Sequence, residues 1–119
     1  MKSLQELQEG LNQFTGVIVW YQPLLYPQFL YSKGVRYLAT NADCFWLLDF
    51  IFSNQILPTI AEETFQKWTI ELEEEQAVIT VRDSNEQVLE TFTISNVFFP
   101  LRKQTLWCIQ GRLILPTEY

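Results

Sequence analysis

The spacing of apolar residues changes once along the chain, near Pro58, and this change constrains the fold more than any other feature. Before Pro58, apolar residues recur every three or four positions, as in the series Leu4, Leu7, Leu11 and Phe14, which is the period of an amphipathic helix. After Pro58, apolar and polar residues alternate, as expected for strands with one buried face. The sequence therefore predicts an α+β fold in which N-terminal helices pack on a C-terminal antiparallel sheet.

The first half is predicted to contain helices with two short strands between them. Two consecutive helices are expected after Gly34, and the second is apolar on nearly all sides, so it must be covered on nearly all sides. The predicted elements are a helix over 3–13, strands over 17–21 and 29–31, and helices over 34–42 and 44–55.

The second half is predicted to form a meander of about five strands, and residues 1–119 a single domain, because the length suits one core. Asp83–Glu86 and Gln110–Gly111 have the residue types of tight turns. The predicted strands cover about 65–72, 77–82, 87–94, 105–109 and 112–115, with an apolar loop over 96–103.

The charge of the chain argues against several partners. The formal net charge is −6, and the largest basic cluster is Arg102-Lys103, so nucleic-acid binding is not expected. The acidity lies mainly in the second half, which leaves inhibition of a basic protein as a minor alternative. The first residues lack the apolar run of a signal peptide, and the uncharged stretch 11–32 contains two prolines, so we expect no membrane segment and a cytoplasmic protein.

The chain contains no histidine, which removes Ser-His-Asp and Cys-His catalysis and the commonest metal ligand. No phosphate-binding glycine motif occurs, and we expect neither a cofactor nor a metal. Cys44 and Cys108 lie in apolar surroundings and are expected to be reduced core thiols, with a disulfide between them as the alternative. Asp83-x-Asn85 resembles the start of a calcium loop but lacks its later ligands, so it is interpreted as a turn.

The surplus of aromatic residues on the helix over 44–55 is the first candidate functional feature. Trp46 and Phe50 lie on a side of this helix apart from its core stripe, and Phe45 lies on a further apolar line. Exposed apolar surface marks interaction sites. The first hypothesis is thus a non-catalytic interaction module, a homodimer with Trp46, Phe50 and Phe45 at its interface.

The alternative hypothesis is a small-ligand-binding protein or a weak enzyme. Its cleft would be lined by Trp20, Tyr21, Tyr31 and Tyr37, although such aromatic residues are more often part of the core. Asp49 is the one charged residue in the apolar run 44–52, so it is the candidate acid/base. The plainer interpretation is that Asp49 faces water or pairs with Arg36 or Lys33.

Landmark residues along most of the chain resemble those of a known family. They are Phe14-Thr15-Gly16, Tyr31-Ser32-Lys33-Gly34-Val35-Arg36-Tyr37-Leu38-Ala39, Phe45-Trp46-Leu47-Leu48-Asp49, Phe65-x-x-Trp68, Leu106-Trp107 and Gly111-x-Leu113-x-Leu115-Pro116-x-Glu118. This set resembles a family of small uncharacterised bacterial proteins, a domain of unknown function frequent in cyanobacteria. The resemblance implies a bacterial cytoplasmic protein without catalytic activity, and it gives no residue a function.

Overall fold

The computed structural model describes residues 3–16 and 19–119, and the predicted strand over 17–21 lies partly outside them. The described residues form three helices and a seven-stranded sheet. The helices are α1 (Leu4–Leu11), α2 (Lys33–Asn41) and α3 (Phe45–Ser53). The strands are β1 (Trp20–Tyr21), β2 (Leu30–Ser32), β3 (Phe65–Glu73), β4 (Gln76–Arg82), β5 (Val88–Ser95), β6 (Lys103–Ile109) and β7 (Arg112–Ile114), and 3-10 turns lie at Asn54–Ile56 and Pro116–Glu118.

The α+β class and the predominantly antiparallel sheet are confirmed, but the strand order is not a simple meander of five. The order is β1-β2-β7-β6-β3-β4-β5, and β2 pairs with β7 in parallel. The backbone N–H of Leu30 donates to the carbonyl of Gly111, which adds the two N-terminal strands to the edge of the C-terminal hairpin. The sheet therefore joins both halves of the chain.

The loop between β5 and β6 explains why β6 pairs with β3 and not with β5. Phe99 and Leu101 in this loop are buried in the core, and the N–H of Leu72 donates to the carbonyl of Arg102. Burying these two apolar side chains draws the loop across the ends of the central strands. The chain then returns on the far side of β3.

The predicted turns are confirmed. The carboxylate of Asp83 accepts hydrogen bonds from the N–H groups of Asn85 and Gln87, as short polar side chains do in turns. Gln110 and Gly111 have φ angles of 51° and 80°, and they join Ile109 to Arg112 in the register of a two-residue hairpin.

The core lies between α3 and one face of the sheet. Leu47 and Ile51 of α3 face Trp68, Ile79 and Leu106, which alternate with outward-facing residues along their strands. The all-round apolar character of α3 is explained by its neighbours, since Leu48 and Phe52 are buried as well. Two consecutive helices are confirmed here, although α3 ends at Ser53 and continues only as a 3-10 turn.

Gln66 is a buried polar residue on the core face, and all four of its amide hydrogen bonds are made. Its side chain exchanges two hydrogen bonds of 2.8 Å with Gln55, accepts one of 2.9 Å from the indole of Trp68 and donates one of 3.1 Å to the carbonyl of Glu63. Satisfied in this way, a buried amide carries no desolvation penalty. The Gln66 side chain thereby hydrogen-bonds β3 to the turn after α3 and to the loop that follows it.

Glu118 is a buried carboxylate that joins the start of α2 to the residues after β7. It accepts hydrogen bonds from the hydroxyl of Ser32 and from the backbone N–H groups of Gly34 at 3.1 Å and Leu115 at 2.9 Å. The same Ser32 oxygen accepts from the N–H of Val35, so it caps the start of α2. One carboxylate thereby fixes the beginning of α2 against the segment after β7.

Gly34 is required by this arrangement. A Cβ atom at this position would lie 2.7 Å from the carboxylate oxygens of Glu118, closer than van der Waals contact permits. Any other residue at position 34 would push the carboxylate away from its donors.

We expect Glu118→Ala to lower the free energy of unfolding by about 3 kcal/mol, because it leaves buried donors without an acceptor. Gly34→Ala should also destabilise the protein, and the double variant should lose less than the sum, because its clash is with the carboxylate that has been removed. Urea denaturation of the three variants measures these effects, with the exposed Glu75→Ala as the matched control. Unchanged midpoints for Glu118→Ala would show that the buried carboxylate does not support the fold.

Candidate functional site

The aromatic residues predicted to line one cleft lie on different surfaces. Tyr21 and Trp20 are successive residues of β1, so their side chains point to opposite faces of the sheet. Trp20 lies near Arg112, whose guanidinium carbon is 5.5 Å from the indole centroid. Tyr21 and Tyr37 line a separate cleft, whereas Tyr31 lines a third site, although its ring stacks on that of Tyr21 at 5.7 Å. The structure thus brings Tyr21 together with Tyr37 and with Tyr31, and a ligand-binding role for these residues stays a prediction.

The cleft that holds Tyr21 and Tyr37 has a volume of about 260 Å³ and is called the tyrosine cleft below. Its lining residues are Phe14, Tyr21, Lys33, Arg36, Tyr37, Thr40 and Asn41. They come from α2, from β1 and from the residues after α1.

Packing of α1 against α2 positions one wall of the tyrosine cleft. The rings of Phe14 and Tyr37 are 5.2 Å apart at an angle of 51°. A Cβ atom at Gly10 would overlap the ring of Tyr37, so the glycine allows this ring to lie directly on α1. On the other wall, the guanidinium of Arg36 lies 4.3 Å from the ring centroid of Tyr21.

A second site, called the leucine groove below, lies between the loop after β1 and α3 and has a volume of about 330 Å³. Its lining residues are Pro23, Leu24, Leu25, Tyr31, Phe45, Leu48 and Asp49. Leu24 is 94% exposed, Leu25 73% and Phe45 43%, which is unusual for apolar side chains that lie side by side.

The loop that carries the two leucines is anchored on both sides. The N–H of Tyr26 donates to the carbonyl of Pro23, which places Leu24 and Leu25 at the corner of a turn. The rings of Tyr26 and Phe29 both pack on Phe52, at centroid distances of 6.1 Å and 5.2 Å. The leucines are therefore held toward solvent by a packed loop.

Asp49 is exposed on α3 and borders the leucine groove, not the tyrosine cleft. Neither of the two ion pairs within the described residues, Lys67–Glu86 and Lys103–Glu71, includes Asp49. The acid/base hypothesis depended on a carboxylate enclosed by aromatic rings, and the structure places this carboxylate in water. The plainer interpretation gave Asp49 either contact with water or a pair with Arg36 or Lys33, and the structure agrees with contact with water.

The three predicted interface residues differ in how much surface they present. Phe50 is half-buried, with its ring edge-on to Phe92 at 5.0 Å, so it forms part of the core wall. Trp46 is half-buried as well, and its indole nitrogen is buried without a hydrogen-bond partner. Phe45 is the most exposed of the three, and it lies in the leucine groove. Their role in an interface stays a prediction.

Both cysteines are free thiols buried in the core. Burial raises the pKa of Cys44 to about 12, and the neighbouring charge of Asp43 adds to this effect. Burial also raises the pKa of Cys108 to about 12, although a hydrogen bond from the backbone of Gly111 opposes it. At neutral pH both groups are protonated, and a protonated thiol is a poor nucleophile and metal ligand.

The described residues contain no group of three or more His, Cys, Asp or Glu side chains arranged to hold a metal ion. None of the helices in the described ranges is long and apolar enough to cross a membrane.

In a comparison with protein families, the chain matches the model of DUF6876, a family of unknown function, over residues 5–119. The chain belongs to this family. The resemblance to a domain of unknown function is thus confirmed, whereas DUF6876 membership gives no residue a chemical role. No curated protein and no solved structure matches the chain.

The sequence analysis did not predict the leucine groove. It also did not predict that Lys33 and Arg36 lie beside the aromatic residues of the tyrosine cleft. A signal for the groove is present, because Leu24 and Leu25 stand between Pro23 and Pro27, and prolines favour turns that lie on the surface. For the cleft, Lys33 and Arg36 precede Tyr37 closely, but their position beside Tyr21 depends on how β1 and α2 pack.

We expect Cys44 and Cys108 to be unreactive toward a disulfide reagent at pH 8 in the native protein and to react fully in denaturant. Their pKa is raised from 9.0 to about 12, so the stability contributed by the protonated thiols is present below pH 9 and is lost as the pH rises toward 12. Titration of the thiols by absorbance, with and without denaturant, measures this. Rapid reaction of the native protein would contradict the burial of both groups.

Proposed function

We propose that this member of DUF6876 is a non-catalytic interaction module that self-associates through the leucine groove. The observation that carries the proposal is the exposure of Leu24, Leu25 and Phe45 side by side on a fixed surface. Contiguous exposed apolar side chains are typical of protein interfaces. Because the loop is already ordered by its packing on Phe52, association would lose little conformational entropy there.

The distribution of charge favours a second copy of the chain as the occupant. The protein carries a net charge of −6, so two copies repel each other over most of their surfaces. The segment from Trp20 to Tyr31 has no charged residue, and α3 has only Asp49. Asp49 is therefore the one charged residue of the leucine groove, so repulsion between two copies is small there.

The shape of the groove supports the same occupant. A two-fold interface uses the same patch on both subunits, so a patch must complement itself. Here the groove beside Phe45 and Leu48 adjoins the projecting Leu24. In a two-fold arrangement, the leucine of each copy can fill the groove of the other.

This proposal modifies the interface expected from the sequence. Phe45 remains part of it, whereas Trp46 and Phe50 do not line the leucine groove, and the ring of Phe50 packs on Trp68 and Phe92. The cytoplasmic location and the bacterial origin, including the cyanobacterial one, are parts of the same proposal and rest on the family resemblance.

We expect light scattering to show a dimer that forms with increasing concentration, and Leu24→Asp to weaken it at least about tenfold, because a carboxylate would be buried without a partner. Ile56→Asp is the matched control, since Ile56 is 84% exposed and lies outside the leucine groove. Circular dichroism checks that both variants are folded, as is expected for exposed positions.

A wild-type chain that stays monomeric through the high micromolar range would overturn the proposal. Equal weakening by Leu24→Asp and Ile56→Asp would also overturn it, because association would then depend on general surface charge and not on the leucine groove.

A further inference from the structure

We propose that the tyrosine cleft binds a small molecule that combines one aromatic ring with an anionic group, a carboxylate or a phosphate. This inference goes beyond self-association, because the tyrosine cleft and the leucine groove share no lining residue. It rests on the charges at the cleft, on its aromatic walls and on its size.

The cleft carries two cations that form no ion pair among the described residues. Lys33 and Arg36 both line it and are exposed, and of the two only Lys33 also lines a groove with a carboxylate, that of Glu118, whose oxygens are engaged by three hydrogen bonds. Two cations three positions apart favour an anion at this site, and Arg36 is the one with no carboxylate on the same surface.

The side chain of Arg36 is restricted by its contact with Tyr21. Its guanidinium carbon lies 4.3 Å from the ring centroid of Tyr21, which is a cation–π contact. Planar guanidinium donors match the two oxygens of a carboxylate or phosphate. Lys33 adds a flexible charge at the same rim.

The aromatic walls select for a ring on the anion. Phe14 and Tyr37, whose rings lie 5.2 Å apart, form one wall. Tyr21 also lines the cleft, and its ring is fixed by Arg36 at 4.3 Å and by stacking on Tyr31 at 5.7 Å. Aromatic side chains favour offset or edge-on contacts with a further ring. A volume of about 260 Å³ is smaller than the pockets that hold drug-sized molecules, so it suits a ligand with one ring.

The arrangement is suited to binding and not to chemistry on the ligand. Asp49 borders the other groove, and both thiols are buried in the core. The lining of the tyrosine cleft includes no carboxylate or thiol. The cleft therefore supplies recognition by charge and stacking.

The test is a nuclear magnetic resonance titration of the ¹⁵N-labelled chain with phenyl phosphate and with benzoate. Benzyl alcohol serves as the neutral ring and inorganic phosphate as the anion without a ring. We expect one or both aryl anions to shift the amide signals of Tyr21, Arg36 and Tyr37 at millimolar concentration or below. The stronger of the two identifies which anionic group the cleft prefers.

Arg36→Gln should weaken the binding of the aryl anion about tenfold, and Lys33→Gln should weaken it less. Arg102→Gln is the matched control, because Arg102 is exposed and lies outside the cleft, and it should leave the affinity unchanged. Both cleft positions are exposed, so the variants are expected to fold, and their amide spectra verify it.

Three results would overturn the inference. The first is that neither aryl anion binds up to about 10 mM. The second is that benzyl alcohol or inorganic phosphate binds as tightly as the aryl anion. The third is that Arg36→Gln binds the aryl anion as tightly as the wild type does. A failure here leaves the light-scattering result unaffected, so this inference and the proposed self-association are decided separately.

Discussion

The hydrogen bonds of the Glu118 carboxylate are the constraint on which the rest of the structure depends. They connect the residues after β7 to the first turn of α2, which lie 84 or more positions apart in the sequence. Each donor is buried, so none can be satisfied by water if the carboxylate moves. Because α2 carries Lys33, Arg36 and Tyr37, the same carboxylate also sets the position of the tyrosine cleft.

Local structure could be predicted from the sequence wherever neighbouring residues determine it. The helix beginning at Ser3, the turn at Asp83 and the hairpin at Gly111 depend on caps, on short polar side chains and on a positive φ, all of which are local. The strand order depends instead on which distant segments share the core. Burial of Phe99 and Leu101 decides the return of β6 to β3, and alternation of apolar residues carries no information about that choice.

The candidate sites could be predicted less well, because a site depends on how side chains from separate elements converge. Trp20 and Tyr21 are neighbours in sequence but lie on opposite faces of the sheet. On a helical wheel, Phe50 lies outside the core stripe of α3, yet in the structure its ring packs edge-on with Phe92 of β5. The exposure of Leu24 and Leu25 could have been predicted, since a turn between two prolines is a surface feature. The buried roles of Gln66 and Glu118 have no local sign in the sequence.

The described reactive groups are engaged in ways that favour a binding protein. Glu118 borders two surface grooves, but its oxygens already accept three hydrogen bonds, so its charge serves the fold. Both thiols are held protonated by burial, and the Asp49 carboxylate is exposed to water. What remains accessible is the leucine groove, with Asp49 as its one charged lining residue, and the tyrosine cleft with Lys33 and Arg36. Under the two proposals, each of these recognises a partner by contact, without a bond being made or broken.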